Sequence, residues 1–297
     1  PRCLCPISVE DGQSEGREHP RGRFRITEKM NEKECVHMKS LKVIVIIVFV
    51  ILIAPGRAAA GGPFGPPQPI AKEAGGLHTG IGYWFQEDKY KNGAEQATLQ
   101  NQVYSELGYG SRNGWEITAR VGMSDLKLID AFSSSTASTA TSKKDFEEHG
   151  KFFSTVGAKG FYPFNKTFGM GAFIQGSYYF SDFTDTVSGT RNGVPFSVEL
   201  RVKNLWDVNF GMGFQVSVPY GIKMYIGPYV HYSELKVSPS ADVAGVAFAS
   251  GETTMKNKTG FGGFTGIEVP LAKGFRLNLE GQYAERLSVG AAVIYVY

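Results

Sequence analysis

From Leu77 onward, hydrophobic and polar positions alternate with a period of two. The longest run covers residues 198–218. Its even positions are Val198, Leu200, Val202, Asn204, Trp206, Val208, Phe210, Met212, Phe214, Val216 and Val218. The odd positions carry Glu199, Arg201, Lys203, Leu205, Asp207, Asn209, Gly211, Gly213, Gln215 and Ser217, so only Asn204 and Leu205 interrupt the pattern. A helix would spread these charges around its circumference, whereas a strand puts them on one face. Residues 115–123 and 275–280 repeat the design.

Breaks at Gly, Pro, Asn and Ser clusters divide the chain into ten strands, roughly 77–87, 99–110, 114–124, 151–163, 167–181, 197–218, 221–235, 259–270, 274–284 and 287–297. Tight turns at 111–114, 165–166, 219–220 and 271–274 alternate with long polar loops at 88–98, 125–150, 182–196 and 236–258; the connection at 285–286 is the short exception. The expected fold is all-β, a ten-stranded antiparallel transmembrane barrel, with eight strands as the alternative.

Alternation does not say which face is inside, since a soluble sandwich has the same period. Short turns at one end and long loops at the other are the habit of membrane barrels. The apolar face carries aromatics towards strand ends (Tyr109, Trp115, Tyr162, Phe168, Tyr178, Phe180, Tyr232, Tyr283), as interfacial girdles do. The opposite face is rich in glycine (Gly80, Gly82, Gly169, Gly171, Gly211, Gly213, Gly260, Gly262), which relieves crowding inside a narrow barrel. The expectation is an apolar outside and a polar lumen.

Upstream the pattern changes. A basic stretch from Met38, an apolar run of twelve residues at 43–54, the breaker Pro55-Gly56-Arg57 and the small residues Ala58-Ala59-Ala60 read as a signal peptide over 38–60. The apolar run is shorter than the roughly 20 residues of a spanning helix. Residues 1–37 are polar and read as an upstream leader or a mis-assigned start. Residues 61–76 open with GGPFGPPQPI, too rich in Pro and Gly for helix or central strand, and read as a periplasmic spacer before a barrel over 77–297.

This division changes the meaning of the composition. The net charge of +3 arises entirely from residues 1–60, which hold ten of the 31 Lys and Arg and seven of the 28 Asp and Glu; 61–297 is formally neutral. That neutrality gives no footing for nucleic-acid binding. All three cysteines (Cys3, Cys5, Cys35) also lie upstream, which excludes disulfides, thiolate metal sites and cysteine nucleophiles from 61–297.

The last strand alternates apolar residues at 287, 289, 291, 293, 295 and 297 and ends on the aromatic Tyr297. It resembles the carboxy-terminal signal by which Gram-negative outer-membrane proteins are recognised for insertion. Residues 77–297 as a whole resemble small opacity-type or porin-like barrels. The resemblance implies an outer-membrane location, contact with outer-membrane lipid, engagement of the barrel-assembly machinery through the strand ending at Tyr297, and exposed long loops. It brings no catalytic residue, and the sequence leaves the oligomeric state open.

Parity assigns Glu106, Glu116, Glu199, Asp207, Glu268 and Glu280 to the lumen, with Arg120, Lys159, Arg201, Lys203, Lys223, Arg276 and His231. Six acids against six permanent cations predict an interior ion-pair network, because buried charges persist only when paired. The expected role is structural or passively porin-like, with a plugged or narrow lumen and no enzymatic activity. One alternative is an adhesin or receptor acting through its loops, such as the hydroxyl-rich stretch at 133–142. The other is a lipid A-modifying esterase: His231-Tyr232-Ser233 resembles the His-x-Ser pair of outer-membrane deacylases, with Glu234 or Glu252 as the acid. Parity turns His231 and Ser233 inward, away from an acyl chain. An omptin-like protease would need an Asp/His pair that His78, His149 and His231 do not supply, and no cofactor motif or metal-ligand spacing is present.

Overall fold

The structure, a computed structural model, describes residues 63–70, 76–92, 94–133, 143–249, 251–257, 260–284 and 287–297. The leader and signal-peptide readings for 1–37 and 38–60 lie outside these residues. The strands are β1 (Gly76–Asn92), β2 (Ala94–Gly110), β3 (Trp115–Leu128), β4 (Phe146–Pro163), β5 (Phe168–Tyr179), β6 (Phe183–Arg191), β7 (Val194–Ser217), β8 (Lys223–Val243), β9 (Val246–Ala249), β10 (Thr253–Asn257), β11 (Gly260–Pro270), β12 (Phe275–Tyr283) and β13 (Leu287–Val296). Ten of them form a closed antiparallel ring in the order β1-β2-β3-β4-β5-β7-β8-β11-β12-β13, and β13 returns to β1 through pairs from His78↔Val296 to Phe85↔Val289. The other three are excursions at the long-loop end: β6 doubles back on β7, β9 on β8, and β10 bridges β8 and β1.

The outer wall is apolar where the barrel crosses the membrane. Ile81, Val103, Val121, Ile174, Phe210, Ile226 and Phe261 all project from it, Phe261 at 75% exposure. Two aromatic rows bound this belt. At the short-turn end Tyr109 packs on Trp115, Tyr162 on Phe164 and Phe275 on Tyr295; at the other end Phe152 and Tyr178 pack on Phe180 and Trp206 on Tyr232. A closed ring with an apolar belt between aromatic girdles leaves no strand edge unpaired in lipid. This is an outer-membrane β-barrel, and in such barrels the short turns face the periplasm.

Crossing the bilayer takes about 9–11 tilted residues, yet β7 has 24 and β8 has 21. The strands therefore continue well beyond the membrane, and there the sense of the wall reverses. Along β3 the outward residues pass from Val121 and Met123 to Asp125 and Lys127, while the inward ones pass from Arg120 and Ser124 to Leu126 and Leu128. Along β8 they pass from Met224, Ile226 and Val230 to Glu234 and Lys236 outside, and from His231 and Ser233 to Leu235 inside. Outside lipid, ordinary burial applies again.

Two bulges carry out part of this reversal by shifting parity, because one extra residue turns every later side chain to the other face. In β7 the register slips between Lys203 and Trp206, with Asn204 at φ 50°; Asp207 and Leu205 point inward below the slip and Val202 above it. This corrects three lumen assignments. Glu199, Arg201 and Lys203 sit on the outer face beyond the membrane, where Arg201 pairs with Glu199 at 3.0 Å and Lys203 with Glu252 at 3.8 Å. In β4 the slip lies at Gly150, φ 71°, so Phe153 below it and Phe146 above it both enter the interior.

The segments at 88–98 and 236–258, expected as loops, are largely strand: β1 and β2 remain paired out to Asn92↔Ala94, and β8, β9 and β10 fold back as hairpins. The loop after β3 is also not all surface. Phe132 and Phe146 flank it and are fully buried in the interior, and its base is closed by Asp130 N–H donating to Asp145 at 2.8 Å. That bond, with Lys127 3.0 Å away, holds the Asp145 carboxyl below its ordinary range.

Candidate functional site in the lumen

The interior is filled from both ends. At the long-loop end an apolar cluster closes the barrel, built from Trp84, Tyr90, Leu126, Phe132, Phe146, Phe153, Tyr179, Phe183, Val202, Leu205 and Leu235. At the periplasmic end the filling comes from residues 63–70, PFGPPQPI. The expectation of a spacer is corrected here: this stretch lies inside the ring. Phe64 stacks on Phe173 with ring centroids 3.9 Å apart and meets Phe264 at 5.2 Å and Tyr229 at 5.5 Å edge-on. Ile70 is buried on the inward residues Ala292, Ile294 and Val296 of β13.

A buried chain segment must satisfy its backbone, and this one has no strand partner. Prolines at 63, 66, 67 and 69 remove half of its donors. The four remaining N–H groups are all taken by wall side chains. Phe64 and Gly65 donate to the two oxygens of Glu280 at 2.9 Å each, Gln68 to Gln215 at 3.0 Å and Ile70 to Glu116 at 2.5 Å. Lys159 donates to the Pro66 carbonyl at 3.0 Å and pairs with Glu116 at 2.7 Å. Hydrogen bonds to charged groups are worth roughly 1.5–3 kcal/mol each, more than neutral ones. A void of about 20 Å³ beside the segment, lined by Tyr104, Glu106, Glu116, Arg120 and Lys159 among others, has room for about one water.

The charged network is laid over this packing. Of the residues assigned to the lumen from sequence, Glu106, Glu116, Arg120, Lys159, Asp207, Lys223, His231, Glu268, Arg276 and Glu280 face inward. Arg120 donates to Glu106 at 2.5 Å and to Gln175 at 3.1 Å, and lies 5.1 Å from the Tyr104 ring centroid. His78, not among the residues assigned to the lumen from sequence, lies 3.5 Å from Glu106. Glu268 is shared by Arg276 at 2.6 Å and Lys223 at 3.1 Å. Two of the carboxylates, Glu116 and Glu280, hold the segment as well as the wall. Pairing of six acids with six cations missed this role, because backbone N–H groups carry no formal charge.

Inward glycines mark where aromatic rings lie flat against the neighbouring strand. A Cβ on Gly82 would collide with the Tyr104 ring, one on Gly266 with Tyr225, and one on Gly290 with Trp84. Gly171 and Gly213 make room for the segment as well as for the wall, since a Cβ on Gly171 would also meet the Gly160 carbonyl at 2.5 Å and one on Gly213 the Phe264 ring at 2.9 Å. They are directly paired across β5 and β7, and a Cβ on either would stand about 3 Å from Pro67 (2.9 and 3.0 Å).

His231 and Ser233 are inward and fully buried, and they do not form a dyad. His231 Nδ1 lies 2.8 Å from Asn209 Oδ1 and Nε2 lies 3.2 Å from Asp88 Oδ2, so both ring nitrogens face acceptors. Ser233 donates to the Trp206 carbonyl at 3.0 Å and receives the Tyr90 hydroxyl at 2.6 Å. A base must be within hydrogen-bond reach of the proton it takes; here that proton is directed at a backbone carbonyl. Glu252 and Glu234 pair instead with lysines on the outer face, Lys236 at 2.9 Å and Lys256 at 3.5 Å.

No protein family and no curated protein sequence matches the chain. Among solved structures it is similar to the translocator domain of the autotransporter NalP from Neisseria meningitidis (11% identity, 89% of this chain, 97% of that one, TM-score 0.47). It is also similar to the outer membrane protease OmpT from Escherichia coli (9% identity, 78% and 100% covered, TM-score 0.39). A third is the COG4313 outer membrane channel from Pseudomonas putida F1 (10% identity, 80% and 100% covered, TM-score 0.39). Likenesses this remote select no activity for the chain.

Proposed function

We propose that this chain is a non-enzymatic outer-membrane barrel, closed at rest, with a structural role rather than steady passage of solute. The observation that carries this reading is the fit of residues 63–70: every backbone N–H of the stretch is bound by a wall side chain, and its aromatic ring is boxed by three others. The apolar cluster at the far end supports it independently. The strand ending at Tyr297 serves as the insertion signal on this reading.

Two experiments test the proposal. Recorded in a planar bilayer, the protein should give no steady single-channel current; a stable conductance in the unmodified chain would refute the closed lumen. Substituting Ser233→Ala should leave lipid A acylation unchanged in cells producing the protein, since the Ser233 hydroxyl is spent on Trp206. Acylation that differs between the two chains would restore the esterase reading.

A further inference from the structure

We infer that the periplasmic half of the lumen is a peptide-binding site, and that residues 63–70 are its built-in ligand, exchangeable for a free segment of the same chemistry. The class of ligand is a proline-rich chain with an aromatic residue ahead of Gly-Pro-Pro, turning at the glycine, where φ is 72°. This inference rests on the closed-lumen reading and goes beyond it. Three observations separate a recognition site from ordinary core.

The first is that the wall reads the segment position by position. Phe64 enters an aromatic box of Phe173, Tyr229 and Phe264, and Ile70 rests on Ile294 and Val296. Gly65 adopts φ 72°, a conformation that favours glycine, and a Cβ there would press on Asn278 Nδ2 at 3.2 Å. Pro67 fills the notch left by the paired glycines Gly171 and Gly213. Gln68 makes a two-way contact with Gln215, giving its N–H to the Gln215 side-chain oxygen and accepting from the Gln215 amide.

The second is that the bonds to the segment come from side chains and none from the strand ladder. The ring closes through β13 and β1 without it, so the segment can leave while every strand pairing remains. The third is the donor count. Prolines stand at 63, 66, 67 and 69, and each of the other four N–H groups finds a carboxylate or amide oxygen. Aromatic-lined sites recognise proline-rich chains in this manner, because the fixed φ of each proline leaves such chains less freedom to lose on binding.

The test uses the full chain with a protease site inserted between Ile70 and Gly76, folded first and then cleaved. Folding before cleavage is read from the shift in gel mobility between unboiled and boiled samples. The amino-terminal fragment should stay with the barrel through gel filtration. An excess of free peptide GGPFGPPQPI should displace it, and the same peptide carrying Phe64→Ala should be at least tenfold less effective. A fragment that leaves on cleavage, one that no peptide displaces, or equal displacement by both peptides would overturn the site. Single-channel recording on the uncleaved chain separates the two claims: steady current there refutes the closed lumen, whereas loss of the fragment from a non-conducting barrel refutes only the peptide site.

Discussion

Substituting Phe64→Ala should raise hydrogen exchange at the amides of residues 64–70 by about two orders of magnitude while leaving the strand amides protected. The ring is the largest apolar group the segment buries, and removing a buried Phe costs roughly 3–5 kcal/mol. Here the loss falls on docking rather than on the barrel, because the segment shares no backbone pairing with the ring. About 3 kcal/mol corresponds to roughly a hundredfold change in an equilibrium. The four amides to follow are those of the substituted position 64 and of Gly65, Gln68 and Ile70, which donate to Glu280, Gln215 and Glu116 in the unmodified chain. Phe64→Leu should recover part of the protection, since it keeps apolar bulk but not the stack on Phe173. Unchanged exchange in Phe64→Ala would show that the segment is held by something other than this ring.

Arg120→Ala should lower the denaturation midpoint sharply. Arg120 and Glu106 are both almost wholly buried, and the guanidinium also serves Gln175 and covers Tyr104. Removing Arg120 leaves buried Glu106 with only His78, 3.5 Å away, and breaking a buried pair in this way costs up to about 3–5 kcal/mol. Removing both charges at once should recover most of it, because a buried ion pair offsets little more than its own desolvation. The decisive comparison is therefore Arg120→Ala against the pair Arg120→Met with Glu106→Gln, in denaturant titrations of the micelle-bound barrel. A midpoint unchanged in Arg120→Ala would mean that water reaches Glu106 and that the lumen is wetter than its packing indicates.

These two sites differ in how readable they were. Arg120 and Glu106 were legible because β2 and β3 keep one parity across the membrane, and a charge on the polar face of such a strand must point inward. The same rule failed at Glu199, Arg201 and Lys203, and the reason was present in the pattern. The interruption at Asn204 and Leu205 is the bulge, and each residue beyond it faces the opposite way. The segments at 88–98 and 236–258 looked like loops for a related reason. Strands that leave the bilayer place charge outside and apolar residues inside, so a reading tuned to the membrane sees only polar residues there.

Residues 63–70 were readable in what they cannot be and opaque in where they go. Four prolines exclude a strand, but the partners of the remaining N–H groups come from β3, β7 and β12, far apart in sequence. Two signals pointed to an occupant. Ile294 and Val296 are aliphatic on the inward face of β13, where most inward positions of the membrane-spanning wall are polar, aromatic or glycine. Gly171 faces Gly213 with Pro67 set against both.

The most direct test of a lumen closed by its own chain uses a thiol under the segment. Residues 61–297 contain no cysteine, so with Cys3, Cys5 and Cys35 replaced by Ser a single probe can be placed. Ala292→Cys changes little volume and lies beneath Ile70 on the inward face of β13, while Asn113→Cys on an exposed periplasmic turn serves as the control. With a hydrophilic maleimide, the folded protein should label at 113 and not at 292, and both positions should label after boiling. Labelling at 292 in the folded protein as fast as at 113 would contradict the account.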